Sequence, residues 1–388
     1  MASPKRIVIV GGGYAGVHCA QALEKRVSGT VGHITLVEVN EFTYHVIGAP
    51  RALVDKSYLP LLTIPIARAF RTVEIVRGYA ETIEGNELVV RKVEPMTHSV
   101  THDSTRVPFD ILVLATGSSY ASPIKIPNGV AAATSRQDVD KMVTTAFNEI
   151  KAADSVLIVG GGAVGCEIAG EISSAYPGKK VTLLDGGSEI VQHTNLKPSF
   201  RRKLMKALTA RGVKVLLGER LPNRLEASTY EKNKTLTTTS GTSIVSDVQL
   251  VCTGSSPNGQ LIRTLDPTLT EPRGIKVKPN LNLDDPRFPN IYVIGDASNH
   301  PSPKLAYIAG LQAKHLAKQL ARHLKRGTDL APFRTPSGPA GLLLPVGPTG
   351  GVAQLPLMGG LIAGDCLVRP IKAKDYFAGK TWVDWKAT

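Results

Sequence analysis

The sequence predicts an α/β fold of two Rossmann-like βαβ units followed by a small C-terminal α+β domain. Three observations carry this. Ile7-Val-Ile-Val-Gly-Gly-Gly-Tyr-Ala-Gly16 is echoed by Val156-Leu-Ile-Val-Gly-Gly-Gly-Ala-Val-Gly165. Each copy continues through a helical pattern to an apolar run ending in an acid, Ile34-Thr-Leu-Val-Glu38 and Val181-Thr-Leu-Leu-Asp185. Each also has a later strand ending in Thr-Gly, Leu112-Val-Leu-Ala-Thr-Gly117 and Leu250-Val-Cys-Thr-Gly254. The same parts in the same order point to a duplicated nucleotide-binding unit.

In the first unit, Gly11, Gly13 and Gly16 follow the strand and open the helix. Gly11 permits the tight turn, Gly13 lets a pyrophosphate approach the backbone, and Gly16 lets helix pack on strand. The helix N-terminus offers free N–H groups and a positive dipole to phosphate. Glu38, 22 residues past Gly16, is placed to accept from a ribose hydroxyl. Residues 74–113 read as short strands broken by turn signals such as Glu84-Gly-Asn86. Gly160, Gly162 and Gly165 repeat the fingerprint, and Asp185 lies 20 residues further on. A carboxylate there accepts from both ribose hydroxyls of NADH and repels the 2′-phosphate of NADPH, so NADH is the expected dinucleotide and NADPH the less favoured. Longer helices are predicted over 197–212 and 305–326, the second with Lys and Arg toward its end and Gly327 as its stop.

At 388 residues the chain is long enough for two to three domains. With 42% hydrophobic and 20% charged residues, wholesale disorder is excluded. The four cysteines, Cys19, Cys166, Cys252 and Cys366, lie at least 86 positions apart. No cysteine zinc site, redox dithiol or secreted disulfide framework is expected, which points to a reducing, cytoplasmic compartment. The histidines show no metal spacing. The strand-like run begins at Lys5, leaving no room for a signal peptide, and Ala2 excludes N-myristoylation. Residues 335–364 carry no charge, but 13 of the 30 are Gly or Pro, so they read as strands and turns rather than a membrane span. The net charge of +14 favours anionic partners: phosphorylated cofactors, an anionic membrane surface or nucleic acid.

Two fingerprints with Thr-Gly strand ends match the two-dinucleotide flavoprotein reductases. Asn290-Ile-Tyr-Val-Ile-Gly-Asp296 adds the strand whose terminal Asp, in those proteins, binds the ribityl chain of FAD. The FAD-binding domain is therefore expected to be discontinuous, over 1–122 and 272–330. The NAD(H)-binding domain would occupy 123–271 and the C-terminal domain 331–388.

Further pieces follow: Val10-Gly-Gly-Gly-Tyr-Ala-Gly16, Leu114-Ala-Thr-Gly-Ser118, Val159-Gly-Gly-Gly-Ala-Val-Gly-Cys-Glu167 and Gly295-Asp-Ala-Ser298, shared by many flavin reductases, and the narrower Pro303-Lys-Leu-Ala-Tyr-Ile-Ala-Gly310 and Lys372-Ala-Lys-Asp-Tyr-Phe377, then Trp382. With them the chain resembles, over its whole length, the AIF-like flavoproteins called AMID or ferroptosis suppressor protein, relatives of type II NADH:quinone oxidoreductases. The resemblance implies FAD as bound cofactor and NAD(P)H-dependent reduction of quinones of the ubiquinone and vitamin K types. It implies Glu167, between flavin and nicotinamide, with Lys304 and Tyr307, as candidate catalytic residues. It implies Arg51, Thr116, Gly117 and Ala306 as FAD contacts and Gly254 as an NADH contact. Tyr307, Phe377 and Trp382 become candidates for the quinone site. Animal members are held on membranes by an N-terminal myristoyl group, from which Ala2 departs. Two other readings stay open: a flavin-bearing, NADH-sensing DNA-binding or cell-death effector, and a reductase of an acidic electron-transfer protein.

Overall fold

A computed structural model describes residues 3–27, 29, 31–127, 132–192, 195–339 and 341–388. Ala2, on which the myristoylation expectation rests, lies outside them. The first sheet is built from β1 (Lys5–Val10), β2 (Gly32–Glu38), β3 (Glu74–Glu84), β4 (Glu87–Val93), β5 (Val100–Pro108) and β6 (Ile111–Leu114). The late strand Ile291–Val293 joins it in parallel at the edge beside β6, with Ile291 opposite Leu112 and Val293 opposite Leu114.

Within that sheet β6, β1, β2 and β3 pair in parallel, and β4 and β5 extend it antiparallel. Strand β1 is apolar from Ile7 to Val10 because both its faces are covered there. Ile7 and Ile9 face one core, shared with the helices α1 (Tyr14–Glu24) and Ala306–Arg326. Val8 and Val10 face the other, with Leu112 and Leu114.

The second sheet repeats the plan with four parallel strands. β7 (Ser155–Val159) pairs with β8 (Lys180–Asp185) on one side and β10 (Val248–Val251) on the other, and β8 pairs with β9 (Lys214–Leu217). Helix α2 (Ala163–Ala175) follows the second glycine loop. The predicted helices are found at Pro198–Thr209 and at α3 (Ala306–Arg326), which Gly327 ends in the left-handed region at φ 64°.

Residues 335–364 carry strands, as their glycines and prolines imply: Leu342–Pro345, Gly351–Leu355 and Leu361–Ala363 form an antiparallel sheet. No described helix is long and apolar enough to cross a membrane. This sheet lies against α2, where a Cβ on Gly170 would sit 2.7 Å from the Val346 Cα. The tail then returns to the first unit. Trp385, 1% exposed, joins the α1–α3 core and donates from Nε1 to Thr43 Oγ1 at 2.8 Å. The C-terminal segment therefore straps across both units.

Candidate functional site

Parallel strands deliver their C-terminal ends, and the loops that follow, to one edge of each sheet. Between the two units this produces a cavity of about 440 Å³, within the range of small-molecule sites. Gly11, Gly13, Glu38, Thr116, Gly117 and Asp296 line it from the first unit, joined by Lys304 and Ala306. Ala163, Val164 and Glu167 line it from the start of α2, and Lys372 from the tail.

The glycine loop has the shape its spacing predicts. Gly11 sits at φ 107°, and a Cβ there would lie 2.5 Å from the Ala115 carbonyl oxygen. Gly16 packs beneath the loop, where a Cβ would overlap the Gly11 carbonyl. Gly13, the N-cap of α1, has nothing within 4 Å of an added Cβ: it faces open cavity. That space, at a helix N-terminus, fits a pyrophosphate. Glu38 accepts from the Gly12 and Asn40 N–H groups, and burial pushes its carboxyl above the usual range. Across the cavity Asp296 accepts from Ser118 Oγ at 2.9 Å. Lys125 and Lys304 lie within electrostatic reach of it, and burial pushes both ammonium groups below the usual lysine range. Each donates to a nearby carbonyl, of Ser118 and Ser298 respectively. The residues present fit a flavin dinucleotide.

Thr116 and Gly117 do more than line the wall. Thr116 Oγ1 donates to the Asn258 carbonyl and Asn258 Nδ2 returns a bond to the Thr116 carbonyl, both at 2.8 Å. The Asn258 N–H also donates to Gly117 at 2.9 Å. These bonds tie the two units together at the points where the chain crosses between them.

Glu167 faces the cavity as expected, but its partner was not foreseen. Lys372 Nζ lies 2.7 Å from Oε1, with side chains 12% and 7% exposed. Burial raises the Glu167 carboxyl and the lysine opposes that shift.

The glycines of the second fingerprint lie at their own strand ends and do not line this cavity, although Ala163 and Val164 between them do. Gly160 takes φ 118° beside the Cys252 carbonyl, Gly165 packs beneath it, and Gly162 faces open space. Asp185 accepts from the N–H groups of Gly161 and Gly187 at 2.6 and 2.7 Å. Arg220 lies against Gly186, the residue that follows Asp185. At Gly254, φ 60°, an added Cβ would lie 3.6 Å from the Arg224 guanidinium.

Four residues named by the resemblance do not line this cavity. Arg51 is not in the cavity wall: its guanidinium pairs with buried Glu171 and donates to the Ala373 carbonyl. Trp382 packs between two cores and donates from Nε1 to the Leu61 carbonyl. Phe377, half-buried, forms the N-cap of the last helix in the left-handed region at φ 64° and does not line the cavity. Tyr307, next to cavity-lining Ala306, points outward and is 69% exposed. Sequence reasoning also missed Lys125 and Glu171. One signal was available: Glu167 and Glu171 are two acids one turn apart in a helix otherwise rich in Ile, Ala, Gly and Cys, which demands buried partners.

Among the described residues no cluster of His, Cys, Asp or Glu has metal-binding geometry. The four cysteines are free, and Cys19 and Cys166 are buried.

Comparison with known proteins agrees with this architecture. The family model of pyridine nucleotide-disulphide oxidoreductases matches residues 5–313. Ferroptosis suppressor protein 1 of Taeniopygia guttata is 29% identical over 382 residues, covering 97% of this chain and 95% of that protein. Apoptosis-inducing factor homolog B of Dictyostelium discoideum is 29% identical over 391 residues, covering 96% and 95%. Among solved structures, the sulfide:quinone oxidoreductase of Aquifex aeolicus has a TM-score of 0.73 at 14% identity, covering 99% of this chain and 92% of that one. NDH2 of Plasmodium falciparum in complex with NADH has a TM-score of 0.71 at 13% identity, covering 98% and 97%. The chain therefore belongs to the pyridine nucleotide-disulphide oxidoreductase family and is a flavin-dependent, NAD(P)H-linked oxidoreductase.

Proposed function

We propose that this chain passes a hydride from NADH to FAD and two electrons onward to a quinone. The observation that carries the reading is the shared cavity, to which the first glycine loop, the start of α2 and the tail each contribute a wall. The name of one structural neighbour, the sulfide:quinone oxidoreductase, supports a quinone as acceptor. Bound FAD supplies the redox chemistry, accepting a hydride and giving up electrons in pairs. The residues supply binding, orientation and protons.

The Gly13 end of α1 holds pyrophosphate, Glu38 a ribose, and Asp296 with Lys304 the stretch between phosphate and ring. Asp185 selects NADH by accepting from its ribose hydroxyls, while Arg220, against Gly186, tempers the rejection of NADPH. Phe42, Ile47, Val164 and Leu342 give the cavity apolar wall against which a quinone ring packs. Reducing a quinone consumes two protons, and Lys372 Nζ holds one at the wall, 2.7 Å from Glu167 Oε1. Lys25, Arg26, Lys318, Arg322, Lys325 and Arg326 gather round one groove at the ends of α1 and α3, the place where an anionic membrane surface would meet the protein.

Steady-state NADH consumption tests the reading. A short-chain ubiquinone should accelerate it severalfold over oxygen alone. Equal rates with and without quinone would remove the acceptor from the proposal.

A further inference from the structure

Helix α2 carries its second buried acid, Glu171, one turn beyond Glu167 and outside the cavity wall. Glu171 is 1% exposed and fully engaged. Arg51 donates to it from Nε and Nη2 at 2.7 and 2.9 Å, and the Tyr376 hydroxyl donates to Oε1 at 2.8 Å. Arg51 Nη2 also donates to the Ala373 carbonyl at 2.8 Å, and its guanidinium lies 5.2 Å from the Tyr376 ring centroid. Nearby, the Tyr58 hydroxyl donates to the Asp375 carbonyl at 2.6 Å, and His45 Nε2 lies 3.0 Å from the Tyr376 carbonyl.

The segment held in this way is unusual. Residues Arg369–Ala373 form a π-helical turn, a rare form that occurs frequently at functional sites. Tyr376 and Phe377 take φ 50° and 64° in succession, a left-handed conformation that non-glycine residues keep only when the surroundings over-determine it. Lys372 lies within this segment and is its contribution to the cavity wall. A buried ion pair is weak support for stability, because apolar residues of similar volume often serve as well; what it can fix is geometry.

We propose that Glu171 is a positioning residue. Through Tyr376 and Arg51 it fixes the 369–377 segment so that Lys372 Nζ stays on Glu167 at the cavity wall. The role rests on the reading of the Glu167–Lys372 pair as part of the reacting site.

Tyr376→Phe tests this in the FAD-loaded protein, since it removes one hydroxyl and keeps the ring. Three measurements are compared among Tyr376→Phe, Lys372→Met and the double variant: the visible spectrum of bound flavin, its anaerobic bleaching by NADH, and amide exchange over 365–384. Each single variant should shift the spectrum in the same sense and slow bleaching, Tyr376→Phe by about tenfold. In the Lys372→Met background Tyr376→Phe should add nothing, because both act through one group. Exchange should rise over 369–377 with FAD retained. Losses that multiply in the double variant, an unchanged Tyr376→Phe, or loss of FAD from it would overturn the positioning role. A silent Lys372→Met would instead remove the reading of the ion pair, and the positioning role with it.

Discussion

Lys372 reaches back across 205 positions of sequence to set its ammonium 2.7 Å from the Glu167 carboxylate. The pair joins the tail to α2, just past its first turn, at the wall of the cavity between the two nucleotide units. The C-terminal segment is thus part of the site, by way of a lysine rather than the aromatic residues that drew attention in the sequence.

The glycine loop gives a prediction that separates ligand from packing. Gly16→Ala places a methyl against the Gly11 carbonyl and should destabilise the protein with or without FAD, by about 1–3 kcal/mol. Gly13→Ala meets open space and an extended N-cap backbone, so the flavin-free protein should melt as wild type does. It should nonetheless hold FAD more weakly. Thermal melts before and after flavin removal distinguish the two; equal destabilisation of the flavin-free forms would contradict the placement of pyrophosphate at Gly13.

Coenzyme choice should respond to Asp185 and Arg220 in opposite directions. Removing a carboxylate that faces a 2′-phosphate should help NADPH by on the order of 1–3 kcal/mol, roughly tenfold to a hundredfold in kcat/KM. Arg220→Ala should lower NADPH use and leave NADH nearly unchanged. Ratios of kcat/KM for the two coenzymes check both; an Asp185→Ala variant with the wild-type ratio would place the ribose elsewhere.

Much of this was legible in the sequence because the βαβ unit writes itself locally. Gly11 and Gly160 need positive φ, Gly16 and Gly165 need no side chain, and Glu38 and Asp185 fall at fixed distances beyond them. Arg51 and the tail were not legible, because their partners lie far away in sequence. Arg51 meets Glu171 across 120 positions, and Trp385 meets Thr43 across 342. An aromatic, basic tail reads the same whether it coats a site or fills a core. Here Tyr376 and Trp385 are 0% and 1% exposed, and the core reading holds for them.

Trp385 should accordingly matter to the whole protein rather than to one step. Its Nε1 donates to Thr43, whose hydroxyl donates to the Gly12 carbonyl in the first glycine loop. Trp385→Ala should cost about 3–5 kcal/mol and weaken flavin retention together. Chemical denaturation and flavin release on dilution measure the two; a stable variant with normal flavin content would contradict the strap.

His45 gives a pH signature. Burial pushes it from 6.5 down to about 4, and it sits neutral between the Tyr14 hydroxyl and the Tyr376 carbonyl. A base with a folded pKa below its unfolded value stabilises fully above the unfolded pKa, and that stability is lost as pH falls toward the folded one. The contribution is on the order of 3 kcal/mol. Glu38 and Glu167, pushed up by burial, act in the opposite sense, so the comparison is with His45→Gln. The wild type's advantage in denaturation midpoint should shrink as pH falls from 6.5 toward 4. A gap constant with pH would mean that His45 binds protons equally in the folded and unfolded states, which would contradict the burial-driven shift.

The most direct test of electron flow through the cavity is anaerobic stopped-flow absorbance on the FAD-loaded protein in two mixes. NADH should bleach the flavin in a single turnover. Mixing the reduced protein with a short-chain quinone should restore the oxidised spectrum faster than air-saturated buffer does. A flavin that NADH does not bleach, or one that oxygen reoxidises as fast as quinone, would contradict the account.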